Sequence, residues 1–199
     1  MAEPSELNIK GTAFLTARRD VLALVESGRF SRVALERRLK PQDLALLEET
    51  PLATSWYPLA TYDRLLRVLM DIEGNGDTRY LVARARKAMD ALMKSGIYRQ
   101  LERAQVVARE GQGWFERSGH ILATLPTAFF DKGSWKLSAD ETKKTFVLEG
   151  TGLHGMTENV AHIVQGALEL VAEQLTESPA QVAVQRVRDG RVVFQGTYG

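Results

Sequence analysis

Gly150-Thr151-Gly152-Leu153-His154-Gly155 carries the glycine spacing of a dinucleotide-binding turn. Glycines there let a pyrophosphate approach the backbone, and the helix that follows favours its negative charge. The full fingerprint also needs a parallel strand–helix–strand unit, with an acid about 20 residues on at the end of the second strand. In this chain that distance falls inside a helical pattern, at Leu170–Glu173. The preferred reading is therefore a glycine connector between a strand and a helix; the alternative is a small-molecule enzyme that holds a nucleotide at Gly150, Gly152 and Gly155. Imidazole chemistry has little to draw on. His120, His154 and His162 are the only histidines, and none lies in a His-Glu-x-x-His pattern. No Gly-x-Ser-x-Gly turn presents a nucleophile. The adjacent acids Glu48-Glu49 and Asp140-Glu141 fit solvated turns as well as they fit acid–base work. The residues thus nominate no catalytic group, no metal site and no cofactor. The purified chain should hold no stoichiometric zinc, iron or heme. Trp56, Tyr57, Tyr62, Tyr98 and Trp114 are the aromatics of interest, either sealing a core or lining an apolar ligand pocket.

The elements that must position these residues change once along the chain. Up to Pro126 the pattern is helical. Pro41 opens a short helix, and Pro58 opens a clearer one over Pro58–Glu73, with Leu59, Tyr62, Leu65, Leu66, Leu69 and Met70 on one stripe. Gly74-Asn75-Gly76-Asp77 should stop it, both glycines taking positive φ. A third helix runs from Tyr80 to Met93, a fourth over Ile97–Glu110, and a fifth over Gly113–Leu125. Nearer the start, Ile9–Leu15 reads as a strand and Arg18–Ser27 as a helix. After Pro126, Ser134–Leu137 and Thr145–Glu149 alternate as strands, and Glu158–Leu175 is a helix with Thr157 as N-cap. Gln181–Arg188 and Arg191–Tyr198 form a hairpin on the two-residue turn Asp189-Gly190.

The fold class is therefore α+β: a helical layer over about 1–126 packs on a four-stranded antiparallel sheet within 127–199. The sheet is built as two hairpins flanking a helix, and residues 1–199 are read as a single domain. Bulk numbers agree. The 199 residues carry 26 basic and 25 acidic side chains, a net charge of +1 that argues against a dedicated nucleic-acid binder. No apolar run reaches the roughly 20 residues of a membrane span. The chain has no cysteine, which excludes disulfides, thiolate zinc and thiol catalysis, and fits a cytoplasmic setting.

Ser55-Trp56-Tyr57-Pro58-Leu59 within Pro51–Leu66, together with Ile9-Lys10-Gly11-Thr12 and Gly96-Ile97-Tyr98, resembles a paralogous family of myxobacterial proteins. That family is similar in architecture to the 4-vinyl reductase domain, the heme–nitric-oxide-binding-like domain and a subunit of the Golgi vesicle-tethering complex. The resemblance implies a helical layer on a ββαββ sheet, frequent dimerisation, and a small apolar ligand or acyl chain held between helices and sheet. Two departures limit it. The final hairpin lacks the cysteines of the 4-vinyl reductase-like domains, and the chain has no Tyr-x-Ser-x-Arg motif of the kind that accompanies a proximal histidine in the heme binders.

Charge is segregated: Thr78–Arg109 is strongly basic, whereas Thr145–Gln185 holds five glutamates and no Lys or Arg. Two solvated faces are the ordinary reading. The sharper one is a homodimer whose twofold axis sets the basic region against the acidic Glu158–Glu177 helix, with docking inside one subunit as its competitor. The function that these observations favour is a non-enzymatic sensory, regulatory or protein-interaction module, able to bind a small apolar ligand or a protein partner.

Overall fold

The computed structural model describes residues 6–94 and 114–199. The expected helix over Ile97–Glu110 and the aromatic Tyr98 lie outside them. Strand β1 (Asn8–Lys10) pairs antiparallel with β2 (Trp56–Pro58), Ile9 opposite Tyr57. The strand expected over Ile9–Leu15 stops at Lys10, and helix α1 (Gly11–Glu26) begins at once. The reason is periodicity. Phe14, Ala17, Val21 and Leu24 recur at three- and four-residue steps and are all buried, which a strand could not achieve. Gly11 is required at that corner, because a Cβ there would sit 2.1 Å from the Leu52 carbonyl oxygen.

Helices α2 (Arg32–Arg38), α3 (Pro41–Glu48) and α4 (Leu59–Glu73) follow. Ser31 caps α2 by accepting from the Ala34 N–H at 3.1 Å. Pro58 ends β2 and stands just before α4, rather than in its first turn as expected. After α4 the left-handed residues are Asn75 and Gly76; Gly74 stays right-handed at φ −97°, which corrects the expectation for that turn. Gly74 is needed for closeness instead, since a Cβ would lie 2.6 Å from the Tyr80 Cβ. Helix α5 spans Arg79–Lys94 and α6 spans Trp114–Thr124, after which a 3-10 turn, Leu125–Ala128, carries the chain across Pro126.

Strands β3 (Ser134–Asp140), β4 (Thr145–Thr151), β5 (Ala180–Arg188) and β6 (Arg191–Tyr198) form one antiparallel sheet in the order β3-β4-β6-β5, with helix α7 (Glu158–Thr176) between the two hairpins. The α+β class and the ββαββ order are as the sequence predicts. Phe146, Leu148, Val192, Phe194 and Val182 face inward and are buried against the helices. Helix α7 packs on α5 and on β5, so it ties the sheet to the helical layer. No helix among the described residues is long and apolar enough to cross a membrane.

The second hairpin turns on Asp189 (φ 53°) and Gly190 (φ 72°), the doubly positive φ of a type I′ turn. Replacing Gly190 by valine should cost about 1–3 kcal/mol, because a β-branched residue resists that region. A Cβ would also come within 2.9 Å of the His154 ring. A lower chemical-denaturation midpoint checks this.

Candidate functional site

Helix α4 carries polar side chains toward two neighbours. Toward α3, Asp43 is fully buried and accepts from Thr61 Oγ1 at 2.6 Å, Arg64 Nε at 2.6 Å, Arg64 Nη2 at 2.7 Å and the Lys40 N–H at 2.8 Å. Toward α7, the buried Asp63 accepts from Thr157 Oγ1 at 2.6 Å and Asn159 Nδ2 at 3.0 Å, and pairs with Arg67 at 3.1 Å. Thr157 has a double duty, since its hydroxyl oxygen also accepts from the Val160 N–H as the N-cap of α7. An open groove of about 520 Å³ lies at this second junction, lined by Arg67, Met70, Asp71, Thr157, Glu158 and Asn159. Sequence reading passed over both aspartates. The signal was present in each case: Asp63 interrupts the apolar stripe of α4, and Asp43 stands at the third position of a proline-opened helix, where a carboxylate meets orphan N–H groups.

The glycine turn delivers the chain to this groove. Gly150 is buried in β4, and a Cβ there would lie 2.6 Å from Leu153 and 2.7 Å from Trp135. Gly152 and Gly155 adopt positive φ, 73° and 95°, and the Leu153 N–H bonds the Gly190 carbonyl at 2.9 Å. The turn therefore joins an antiparallel strand to α7. Asp71 and Glu158 set two carboxylates in the groove beside the start of α7, with Arg67 in the same lining and Arg38 paired to Asp71.

The aromatics separate. Tyr57 and Tyr62 are buried; Tyr57 stacks on Phe14 at 4.5 Å and its hydroxyl oxygen accepts from the Leu52 N–H at 2.7 Å. Burial pushes the Tyr62 phenol up to about 12, against the pull of Arg84, so it stays neutral at ordinary pH. Trp56 is exposed, with the Lys10 ammonium 4.5 Å from its ring centre. Trp114 begins α6. The aromatics that sequence reading missed sit on the sheet side: Phe130, Trp135 and Phe194 stack in a row, at 6.2 and 6.5 Å. The Trp135 indole N–H is buried and meets no acceptor among the described residues.

The segregated charges meet inside one chain. Arg86 of α5 bonds Glu173 at 2.7 Å and Glu169 at 3.3 Å on α7. For these residues the docking within one subunit replaces the docking between copies, because α5 and α7 are already packed together. The histidines stay outside the core. His120 and His154 are exposed, and the half-buried His162 places Nδ1 2.9 Å from Gln165 Oε1. Among the described residues no group of three or more His, Cys, Asp or Glu is placed to hold a metal ion.

No family model matches the chain, and no curated protein matches it in sequence. Solved structures do match in fold. A point mutant of the Fe(II) unliganded H-NOX protein from K. algicida is 12% identical, with a TM-score of 0.56 and 96% of each chain covered. An H-NOX protein from S. oneidensis in the Fe(II)NO ligation state is 9% identical, with a TM-score of 0.55, covering 96% of this chain and 99% of that one. An oxygen-binding H-NOX domain related to soluble guanylate cyclases matches at 10% identity and a TM-score of 0.50. The chain thus has an H-NOX-like fold. Its residues offer no buried histidine to ligate a heme: all three histidines lie among the described residues, two exposed and one half-buried.

Proposed function

We propose that the protein is a cytoplasmic sensory or regulatory module, not an enzyme, which uses an H-NOX-like fold to bind a small, mainly apolar ligand other than heme. The observation that carries this reading is the likeness of the fold, at TM-scores of 0.55 to 0.56 over 96% of this chain, to H-NOX proteins, one of them solved in its Fe(II)NO state, in a chain whose histidines are exposed or half-buried. The Trp135 donor adds to it: an orphaned indole N–H beside Phe130 and Phe194 suits an apolar molecule with one acceptor oxygen. An unmet buried donor costs about 1–3 kcal/mol, which such a ligand would offset. Membership of the myxobacterial family and pairing into homodimers belong to the same reading.

Hemin titrated into the purified 199-residue chain should give no saturable Soret shift. Native mass spectrometry should instead show a co-purified small molecule, lost or weakened about tenfold in Trp135→Phe, which keeps the ring and removes the donor. Stoichiometric hemin binding that disappears in a His120→Ala, His162→Ala double variant would overturn the proposal. So would saturable dinucleotide binding that Gly152→Val abolishes.

A further inference from the structure

The two edges of the main sheet differ. On β5, side chains of α7 occupy the outer backbone: Gln165 Nε2 donates to the Val182 carbonyl at 2.7 Å, and the Val182 N–H donates to Glu169 Oε1 at 3.3 Å. The register then slips between Val184 and Arg186, and Arg186 and Arg188 stand exposed. Occupied groups, a bulge and charged side chains are the common ways to close an edge against another strand.

β3 differs: no described residue bonds its outer backbone. Ser134–Asp140 pairs with β4 in unbroken register. The Tyr198 N–H bonds the Lys144 carbonyl, so even-numbered residues of β4 bond β6 and odd-numbered ones bond β3. Lys136 and Ser138 therefore bond β4 through Glu149 and Val147. By the same alternation Trp135, Leu137 and Ala139 turn their N–H and C=O groups outward, and no described residue bonds them. Their side chains are only half-buried, although their neighbours Phe146 and Leu148 on β4 are fully so. The outer face of β3 carries an exposed lysine, Lys136, which makes no ion pair among the described residues.

We propose that β3 is a pairing edge for a second copy of this chain, the two β3 strands running antiparallel about a twofold axis at Ser138. That register sets Lys136 opposite Asp140 of the partner subunit, on both sides of the axis. It also sets Leu137 opposite Ala139 of the partner subunit, and both present outward N–H and C=O groups for exchange. The complementary charges select this register, since like charges directly opposite would oppose it. Asp140 now pairs with the exposed Lys143 ammonium at 3.0 Å through Oδ2 and accepts from the Lys143 N–H at 3.1 Å through Oδ1; the exposed ion pair is the contact that the partner's Lys136 would replace. The four-stranded sheet would continue across the axis, and the new strand would cover the half-buried Trp135, Leu137 and Ala139. The surface is separate from the crossing of α5 and α7, where Arg86 pairs with Glu169 and Glu173 within each chain.

Analytical ultracentrifugation of the 199-residue chain over a concentration series tests this, with circular dichroism confirming the fold of each variant. Wild type should be a dimer. Lys136→Glu and Asp140→Lys should each weaken it by about tenfold, and the double exchange should restore it, because only a direct pairing is rescued by swapping the two charges. Ala139→Pro should abolish the dimer while leaving the monomer folded, since it removes an N–H that β4 does not use. A wild-type monomer throughout the series would overturn the proposal, as would a dimer indifferent to all four variants. Neither result would touch the ligand proposal, which hemin titration and mass spectrometry of the monomer still read.

Discussion

Asp43→Ala should destabilise the protein by about 3–5 kcal/mol, the cost of removing one partner from a buried ion pair. The substitution strands Arg64, whose guanidinium makes both of its contacts with this carboxylate, and it unmakes the bonds to Thr61 and the Lys40 N–H. That is a large part of a typical total of about 5–15 kcal/mol, so thermal unfolding should move down by many degrees. The pair also predicts a pH dependence. Burial pushes the Asp43 carboxyl up, but the Arg64, Thr61 and Lys40 hydrogen bonds outweigh it and hold the group below the usual carboxylate range. A depressed folded pKa gives stability that is complete above the unfolded value, about 3.9, and is lost as pH falls through the folded one. Wild type should therefore lose stability on acidification more steeply than Asp43→Asn, which has no carboxylate to titrate at this position. Equal slopes for the two proteins would show that the pair does not form.

Gly166→Val should separate α5 from α7 and lower stability by about 1–3 kcal/mol, toward the upper end because the obstacle is backbone. A Cβ at Gly166 would stand 2.2 Å from the Val82 carbonyl oxygen and 3.0 Å from the Ala85 Cβ. Gly166→Ala makes a sharper comparison. In a free helix alanine gains about 1 kcal/mol over glycine, so a net loss in this protein isolates the contact with α5. The same variants should loosen the Arg86 pairing with Glu169 and Glu173, which spans the same crossing. Chemical denaturation of the Gly, Ala and Val series is the check; a stabilised alanine variant would show that the helices do not approach so closely.

Much of this molecule was legible residue by residue, wherever the cause of a structure is local. The turn at Asp189-Gly190 follows from two residues that accept positive φ, and the cap at Thr157 from one hydroxyl before an apolar period. The α4 stripe, the ββαββ order and both hairpins follow from periodicity with punctuation. One misreading overlooked a helical period that the sequence does carry, at Phe14, Ala17, Val21 and Leu24. Residues 11–15 look extended because Thr12 and Phe14 favour strands, yet a partner that packs on Phe14, Tyr57, lies far along the chain.

The candidate sites show the same division. Sequence alone determined which chemistries lacked their residues: without cysteine, and with three scattered histidines, thiolate and clustered-imidazole sites could not be assembled. It also marked opposite charge on the basic and acidic stretches, without saying where they would meet. Only the tertiary structure decided that Arg86 and Glu173 meet within one chain, that Asp63 pins α4 to the start of α7, and that α7 occupies the edge of β5 while no described residue bonds that of β3. The physical reason is range. Turns, caps and helical stripes are set by interactions between near neighbours in sequence, whereas a salt bridge or a protected strand edge depends on which distant surfaces the packed core brings together.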